Sequence, residues 1–527
     1  MSANYLFWKD YTPHSVKRAT PSSEDALVLA KKWFESCCSF HERCNIRKRL
    51  FRPTRLVYIG DNVPRLCLSP NYEAGVKYAT LSHCWGTTSH FTTTKATLQQ
   101  RKHGIPMDAL NKTFADAVRF TRRMEVRYLW IDSLCIVQDS AEDWEQESSK
   151  MSSIYSNGIF NIAAVSAEHG DKGFLHQRPK PIRVIDIGTK VNDSSPAHQN
   201  GHLWIRPSIE IPPSYRAIQG DAPLDERAWC YQEEILAPRT FRFEKIQISF
   251  RCRVDQKYES YSKGQEDNPP KTLGFFRQIT DGRKVTKGHE EDLEIWRDIV
   301  SEYSARHLTF SKDRLPALSG IASLMANSFN DRYLAGLWAK DLPAALCWLP
   351  DYGCGNRLEP FVAPTWSWAS YSGRVKFLDI CRDQSRDTVW SVSILGCNTH
   401  PVSDLYGQVK GGSLELEGDM LRLDIHEKSS LAVGLKNCGT GTRFDTLLPD
   451  DNDKAVSFGE CFGLLVGYRY NSEMEKVDLW RPVVLMVQRI GADEVYERIG
   501  CFESCRTGKF PGPWKGPYCE RKRITII

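Results

Sequence analysis

Residues 128–140, YLWIDSLCIVQDS, decide the predicted fold because they combine a strand with a polar rim. The first four residues form an apolar run of strand character, and Asp132 follows where a parallel strand would end in a loop. In open α/β sheets, ligands bind beyond the carboxyl ends of the strands. We therefore predict that Asp132, Cys135, Gln138 and Asp139 lie at one rim, where a ligand can bind. The alternative is that the Asp132 side chain only braces the following loop.

The segments on either side alternate between strand and helix patterns. Residues 76–82 and 159–165 have strand character, whereas residues 110–124 carry an apolar stripe with a period of 3.6 residues, which predicts a helix capped near Asn111. Ser140 begins a capping-box signature ahead of a further helix over residues 141–155. This order of strand, helix, strand, helix and strand predicts an α/β fold with a doubly wound, mainly parallel sheet and right-handed crossovers.

Segments of different character divide the chain into four parts. We predict an N-terminal helical segment over residues 1–55, an α/β domain over 56–257 with an excursion at 176–222, a linker with a helical and Trp-rich segment over 258–388, and a β-rich C-terminal domain over 389–527. The last assignment depends on short alternating runs such as SLELEG and PVVLMVQRI, which are typical of strands. A chain of 527 residues is also too long for one hydrophobic core.

Charge and hydropathy argue against two classes of partner. The chain has 70 basic and 65 acidic residues, and this near balance gives no support for binding nucleic acid. It contains no run of about 18 apolar residues and no apolar segment typical of a signal peptide, so we predict a cytoplasmic protein without a membrane partner. The 17 cysteines form no CxxC pair, so we expect reduced and mostly buried thiols.

One cluster of cysteine and histidine lies near the N-terminus. Cys37, His41 and Cys44 fall on related turns of a predicted helix over residues 22–44 or on its exit. The spacing permits metal binding, but a zinc site needs a fourth ligand and the local sequence does not supply one. We therefore predict helix packing here and no metal site.

Three sequence blocks resemble a known family. VKYATLSHCWG (76–86), YLWIDSLCIVQDSAEDWEQESSKMSSIYSNGIFNIAA (128–164) and ERAWCYQEEILAPRTF (226–241) are similar, in this order, to the blocks of the fungal heterokaryon-incompatibility (HET) domain. The match departs from the family pattern at His83, where tyrosine is commoner, and at residues 225–226. Weaker similarity extends upstream to Trp33 and downstream to APTWSWAS.

The resemblance implies a protein of self/non-self recognition that takes part in programmed cell death after fusion of incompatible hyphae. HET domains are thought to be remotely similar to Toll/interleukin-receptor (TIR) domains, some of which cleave NAD. The expected fold is then TIR-like or flavodoxin-like. NAD or a related nucleotide is the expected substrate, and no bound cofactor is required. An incompatibility partner protein and a homo-oligomer are the other expected partners.

Glu233 is the candidate catalytic residue that this resemblance singles out. Residues 229–233, WCYQE, reproduce the Trp-Cys-x-x-Glu spacing around the glutamate of catalytic TIR domains. Cleavage of the bond to nicotinamide builds positive charge on the ribose, which a nearby carboxylate can stabilise, with Asp132 assisting. The predicted ligand-binding residues are Ser82, His83, Trp85, Gly86, Cys135, Gln138, Arg227, Trp229 and Gln232.

Four alternatives remain open. Arg227 can instead form an ion pair with Glu233 or Glu234 that holds the helix to the sheet. A cysteine nucleophile, Cys84 beside His83 or else Cys135 or Cys230, would need a nearby base and a lowered thiol pKa. The region can also act without catalysis as an oligomerising death-signalling module, or as a HET-type scaffold recruited to a metabolic pathway.

Overall fold

The computed structural model divides the chain into two units, Met1–Leu273 and Gly274–Ile527. The residues that the structure describes are 24–46, 51–86, 91–176, 182–186, 202–205, 222–245, 247–259, 289–351, 355–378, 388–425, 433–434, 448–449, 460–470, 480–491, 493–503 and 519–527. Residues 260–288 of the predicted linker and most of the predicted excursion at 176–222 lie outside them.

An eight-stranded sheet forms the centre of the first unit. The strands of this unit are β1 (Arg55–Tyr58), β2 (Arg65–Leu68), β3 (Ala79–Ser82), β4 (Tyr128–Ile131), β5 (Phe160–Ala163), β6 (Ile182–Asp186), β7 (His202–Ile205), β8 (Arg239–Phe243), β9 (Ile248–Cys252) and β10 (Gln256–Tyr258). Across the sheet the order is β10-β9-β8-β5-β3-β4-β1-β2, while β6 and β7 pair separately with each other.

The sheet is parallel in its centre and antiparallel at both edges. Strand β3 runs parallel to β4 and β5, and β5 runs parallel to β8. Strand β1 is antiparallel to β4 and β2, and β9 is antiparallel to β8 and β10. The predicted α/β class is confirmed, but the sheet is mixed rather than mainly parallel, because the hairpins β1–β2 and β8–β9 extend the parallel core on both sides.

The direction of winding reverses at β3. The chain passes from β3 to β4 on one side, and then crosses β3 to place β5 on its other side and β8 beyond β5. The connections that leave β3 and β5 therefore diverge, and in open α/β sheets ligands bind at such a switch point, outside the carboxyl ends of the strands.

Helices pack around this sheet. They are α1 (Glu24–Phe40), α2 (Leu98–His103), α3 (Lys112–Arg123), α4 (Asp132–Cys135), α5 (Ala141–Ser148), α6 (Met151–Asn157) and α7 (Ala228–Leu236). The predicted cap of α3 is confirmed, since Asn111 accepts a hydrogen bond from the Phe114 amide at 2.9 Å. Ser140 caps α5 as predicted, but the single helix expected over 141–155 is divided into α5 and α6.

Aromatic side chains fill the core between helices and sheet. Phe120 of α3 packs edge-on against Phe160, Phe241 and Phe243, with ring centroids 4.9–6.1 Å apart. Phe34 of α1 contacts Phe160 at 5.3 Å. Such edge-to-face contacts stabilise the core beyond the burial of area alone. They link α1, α3 and the two strands β5 and β8 into one packed layer.

The second unit combines two helices with a β-rich part. Its helices are α8 (His289–Ser304) and α9 (Pro316–Phe329). Its strands are β11 (Tyr333–Leu334), β12 (Leu337–Trp338), β13 (Trp348–Pro350), β14 (Val375–Phe377), β15 (Thr388–Trp390), β16 (Ser393–Pro401), β17 (Val409–Arg422), β18 (Asp424–Ile425), β19 (Val433–Gly434), β20 (Leu448–Pro449), β21 (Cys461–Tyr470), β22 (Trp480–Arg489), β23 (Val495–Glu503) and β24 (Cys519–Ile526). The predicted β-rich C-terminal region is confirmed by an eight-stranded sheet made of β15–β17 and β20–β24, while β18 and β19 pair separately with each other.

The Trp-rich segment lies in the core of this second unit. Trp338, Trp348, Trp366 and Trp368 are all fully buried. Arg498 of β23 lies over the Trp348 ring, 3.4 Å from its centroid, and donates to the Trp348 carbonyl at 2.5 Å. The indoles therefore pack within the core of this unit. Among the described residues, no helix of either unit is long and apolar enough to cross a membrane.

Candidate functional site

Parallel pairing brings two predicted site residues together at one sheet edge. Leu81 of β3 pairs with Ile131 of β4, so the residues that follow them, Ser82 and Asp132, leave the sheet side by side. Ser82 also pairs with Ala163 at the end of β5. The three central strands thus end at one level, and their carboxyl ends form the floor of the candidate site.

The Asp132 carboxylate is held by donors from both sides. One oxygen, Oδ2, accepts a hydrogen bond from the indole nitrogen of Trp85 at 2.9 Å. The other, Oδ1, accepts from the Ser133 amide at 2.7 Å and lies 3.6 Å from Nδ1 of His83. The Asp132 side chain keeps 18% of its surface exposed. It therefore braces the loop, as the alternative interpretation holds, and also presents a negative charge to solvent.

The loop after β3 depends on a glycine. Gly86 has a φ of +79°, and a Cβ atom there would lie 2.4 Å from the Cβ of His169. An L-residue would meet both backbone strain and a steric clash at this position. Gly86 thus acts by shaping the turn that carries the Trp85 indole towards Asp132.

Helix α7 places Glu233 against the same strand ends. The side chain is 5% exposed, and the hydroxyl groups of Ser82 and Tyr155 face it. Burial raises the pKa of Glu233 to about 7; the negative charge of Asp132 also raises the pKa, whereas Ser82, Arg227 and Tyr155 lower it. Among the described residues, Oε2 of Glu233 has no hydrogen-bond partner. A buried carboxyl group with a strongly raised pKa is typical of functional sites.

Arg227 joins the helix to the loop after β3. It precedes α7, is half-buried, and donates a hydrogen bond to the His83 carbonyl oxygen. Burial acts to lower the pKa of Arg227, but nearby groups, including Cys230, Asp132 and Glu233, raise it overall. The guanidinium group therefore stays charged beside the two carboxyl groups, Asp132 and Glu233.

Two residues that support the site were not predicted as site residues. The amide of Asn161 in β5 donates to the Ser82 hydroxyl at 3.0 Å and accepts from Thr80 at 2.9 Å. Tyr155 of α6 donates to the Leu81 carbonyl at 3.3 Å and faces Glu233. Asn161 could have been found as a polar residue inside a buried strand, because such a residue needs a partner. Tyr155 followed the ordinary apolar pattern of its helix.

The remaining predicted binding residues differ in how far their side chains are buried. Gln138 donates to the carbonyl oxygens of Asp132 at 3.2 Å and Ile136 at 3.1 Å, so it holds the loop after β4. On α7, Gln232 is buried and Trp229 is half-buried.

The buried cysteines do not favour nucleophilic chemistry. Burial raises the pKa of Cys84 to about 11 and that of Cys135 to about 12. Cys230 is buried with Cys84 in an apolar cluster. A thiol acts as a nucleophile in its thiolate form, which these environments disfavour at neutral pH.

The ion pairs that fasten α7 to the sheet involve Glu234 rather than Glu233. Arg242 of β8 donates to both oxygens of Glu234 at 2.6 and 2.7 Å, and to both oxygens of Asp225 at 3.0 and 2.8 Å. Arg251 of β9 lies 3.0 Å from Glu234. The helix therefore has an ionic attachment of its own, which leaves Glu233 directed at the strand ends.

The raised pKa of Glu233 predicts a stabilising substitution. A glutamate ionises near pH 4.5 when unfolded but near pH 7 in this protein, so the folded state is penalised increasingly as the pH rises between these values. Above pH 7 the penalty is constant at about 3 kcal/mol, from about 1.4 kcal/mol per pKa unit. Glu233→Gln mimics the neutral acid, and we expect it to raise the free energy of unfolding by about that amount at pH 8 and by less than about 1 kcal/mol at pH 5.

Urea denaturation, monitored by hydrogen exchange in peptides of α7 and β3, measures this difference in the free energy of unfolding. Glu145→Gln, at an exposed position on α5, is the matched control and should change stability by less than about 0.5 kcal/mol at either pH. A Glu233→Gln protein that is less stable than the parent at pH 8 would show that ionised Glu233 is well accommodated.

The N-terminal cysteines and histidine also converge in space. Cys37, His41 and Cys44 are joined by Cys252, the last residue of β9, and their ligand atoms all lie within 4.8 Å of one another. Cys252 follows His41 by 211 residues, so the local sequence gave no indication of it.

Comparison with known proteins identifies a domain around the candidate site. A family model described as "Heterokaryon incompatibility protein (HET)" matches residues 78–233, a segment that contains β3, β4 and β5 and ends at Glu233. The predicted resemblance to the HET domain is confirmed over this segment. No curated protein and no solved structure matches the chain.

Proposed function

We propose that the HET domain at residues 78–233 gives this protein a heterokaryon-incompatibility function, and that it acts by cleaving the bond between ribose and nicotinamide in NAD. The observation that carries the catalytic part is the buried Glu233, whose pKa is raised to about 7 beside Asp132 and Arg227. Cell death after fusion of incompatible cells would follow from loss of the nucleotide.

The reaction needs a carboxylate more than it needs a proton donor. When the bond from ribose C1′ to the pyridinium nitrogen breaks, its electron pair neutralises that nitrogen, and nicotinamide leaves without being protonated. Positive charge then develops on the ribose, where ionised Glu233 stabilises it electrostatically. A water molecule adds to C1′ and releases its proton, so the products are nicotinamide, ADP-ribose and one proton.

Other residues of the site have roles that fit this chemistry. Asp132 is the more exposed carboxylate and can accept hydrogen bonds from ribose hydroxyls. The half-buried indoles of Trp85 and Trp229 offer faces for stacking on a base. Arg227 supplies positive charge for a phosphate or for balancing the two carboxylates.

The pKa of Glu233 predicts the pH dependence of the reaction. Because the ionised form is the active one, the rate should rise with pH through about 7, and kcat/KM should be about tenfold higher at pH 8 than at pH 6. Asp132→Asn removes a charge that raises this pKa, so the residual activity of that variant should reach half its maximum at a lower pH. Nicotinamide release measured from pH 5.5 to 8.5 tests both statements. A rate that falls over this range would instead assign Glu233 as a general acid.

The deciding experiment follows catalysis and assembly together. Purified protein is incubated with NAD, while nicotinamide release and oligomer size are recorded in the same samples. Release of nicotinamide that depends on Glu233 supports the enzyme. Assembly without loss of nucleotide would favour the oligomerising signalling module, and a monomer that leaves NAD intact would favour a HET-type scaffold with another role.

A further inference from the structure

Four metal-ligand side chains meet where helix α1 and the turn after it approach strand β9. The thiols of Cys37, Cys44 and Cys252 are almost completely buried, and His41 is half-buried. Their ligand atoms all lie within 4.8 Å of one another, and Nδ1 of His41 is 3.4 Å from the Cys252 sulfur. The three thiols and the imidazole thus converge on one point.

These distances agree with those of a zinc site. In tetrahedral coordination, Zn–S bonds of about 2.3 Å and Zn–N bonds of about 2.0–2.1 Å place two sulfurs about 3.8 Å apart, and a sulfur and a nitrogen about 3.6 Å apart. Three sulfurs and one imidazole form a donor set that favours zinc in this geometry. We propose that Cys37, His41, Cys44 and Cys252 bind one zinc ion that fastens helix α1 to strand β9.

The surroundings suit a site with a net negative charge. Three thiolates and one Zn²⁺ sum to a single negative charge, which needs nearby donors. The amides of Val254 and Asp255 donate to the Cys252 sulfur at 3.4 and 3.2 Å, and Nε of Arg239 donates to the Cys37 sulfur at 3.1 Å. Such outer donors orient the ligands of metal sites and tune their affinity. Arg239 is itself buried and also donates to the Ile159 carbonyl at 3.2 Å, so its position is held by the sheet.

The site should serve structure rather than catalysis. Four protein ligands complete the tetrahedron and leave no position for water or substrate. The ion would join residues 37–44 to the end of β9, close to the contact of Trp33 with Phe250 at 6.3 Å between ring centroids. The half-buried His41 leaves the metal a path of entry.

Metal analysis of the full chain tests the proposal. Protein is purified without chelators from cells grown in zinc-containing medium. Its zinc content, measured by elemental mass spectrometry, should be about one ion per chain. Cys252→Ser and Cys44→Ser should reduce this below about a tenth of a zinc per chain. Cys38→Ser is the matched control, because Cys38 adjoins Cys37 on the same helix but lies outside the cluster, and it should keep the full content.

A second measurement keeps the test decisive if the serine variants do not fold. The parent protein grown with cobalt should show the visible absorption of tetrahedral cobalt bound to thiolates, and a mercurial should release one metal ion per chain. Folded parent protein with less than a tenth of a zinc per chain and no cobalt spectrum would overturn the proposal. Iron with inorganic sulfide in place of zinc would overturn it equally, as would full zinc content in folded Cys252→Ser.

Discussion

Glu233→Gln is expected to lower the rate of nicotinamide release from NAD at least about 10²-fold. The substitution keeps the size of the side chain and removes the negative charge that stabilises the ribose cation. Arg227 and the hydroxyls of Ser82 and Tyr155, which now lower the pKa of Glu233, would remain in place. The loss should therefore appear in kcat more than in KM, because the charge acts mainly in the transition state.

The control for this experiment is Glu145→Gln, which removes one carboxylate from an exposed position on α5 and should leave turnover unchanged. The thermodynamic result expected for the same Glu233 variant sharpens the interpretation. A variant that is more stable than its parent at pH 8, and yet inactive, cannot owe its inactivity to unfolding. Turnover by Glu233→Gln equal to that of the parent would remove Glu233 from the mechanism and leave the HET domain without this chemistry.

The sequence was most informative where local pattern decides structure. The apolar run before Asp132 correctly predicted β4, and the capping residues Asn111 and Ser140 correctly predicted where α3 and α5 begin. Each of these signals depends on residues within about four positions of one another, which hydrophobic periodicity and capping chemistry can report. Strands β3 and β4 also end at the same level, which places Ser82 and Asp132 side by side.

The sequence was least informative where distant segments meet. Nothing local in the sequence showed that β1 pairs antiparallel with β4, as Tyr58 does with Tyr128. The same limit applies to Cys252, which reaches Cys37 and His41 only after the sheet has formed. It applies as well to Glu233 and Glu234, because adjacent carboxylates differ only through what the fold places beside each. Burial raises the pKa of Glu233, whereas Glu234 meets two arginines.

Arg242→Met is expected to lower the free energy of unfolding of the first unit by about 3–5 kcal/mol, because it leaves buried carboxylates without their cation. Arg242 is a donor to Glu234 and Asp225 and lies 3.6 Å from Glu244, and all four side chains are at most 13% exposed. These carboxylates together keep the pKa of Arg242 well above its usual value despite burial. Hydrogen exchange in peptides of α7 and β8 at increasing urea concentration measures the loss.

Arg119→Met is the control, since the Arg119 side chain is 63% exposed and pairs with Asp116 one turn away on α3. The Asp116 carboxylate is buried but also accepts hydrogen bonds from the amides of Phe174 and Leu175, so it keeps partners when Arg119 is replaced. Because the Arg119 end of the pair is exposed to solvent, its loss should cost at most about 1 kcal/mol, and the two substitutions should differ severalfold. The Arg242 variant should also release α7 from β8, so that Glu233 is positioned less firmly at the strand ends. Nicotinamide release should therefore fall even at urea concentrations where hydrogen exchange shows the rest of the sheet to be protected. Equal losses for the two arginines would mean that the carboxylates around Arg242 are hydrated or protonated in its absence, and that packing alone keeps Glu233 at the strand ends.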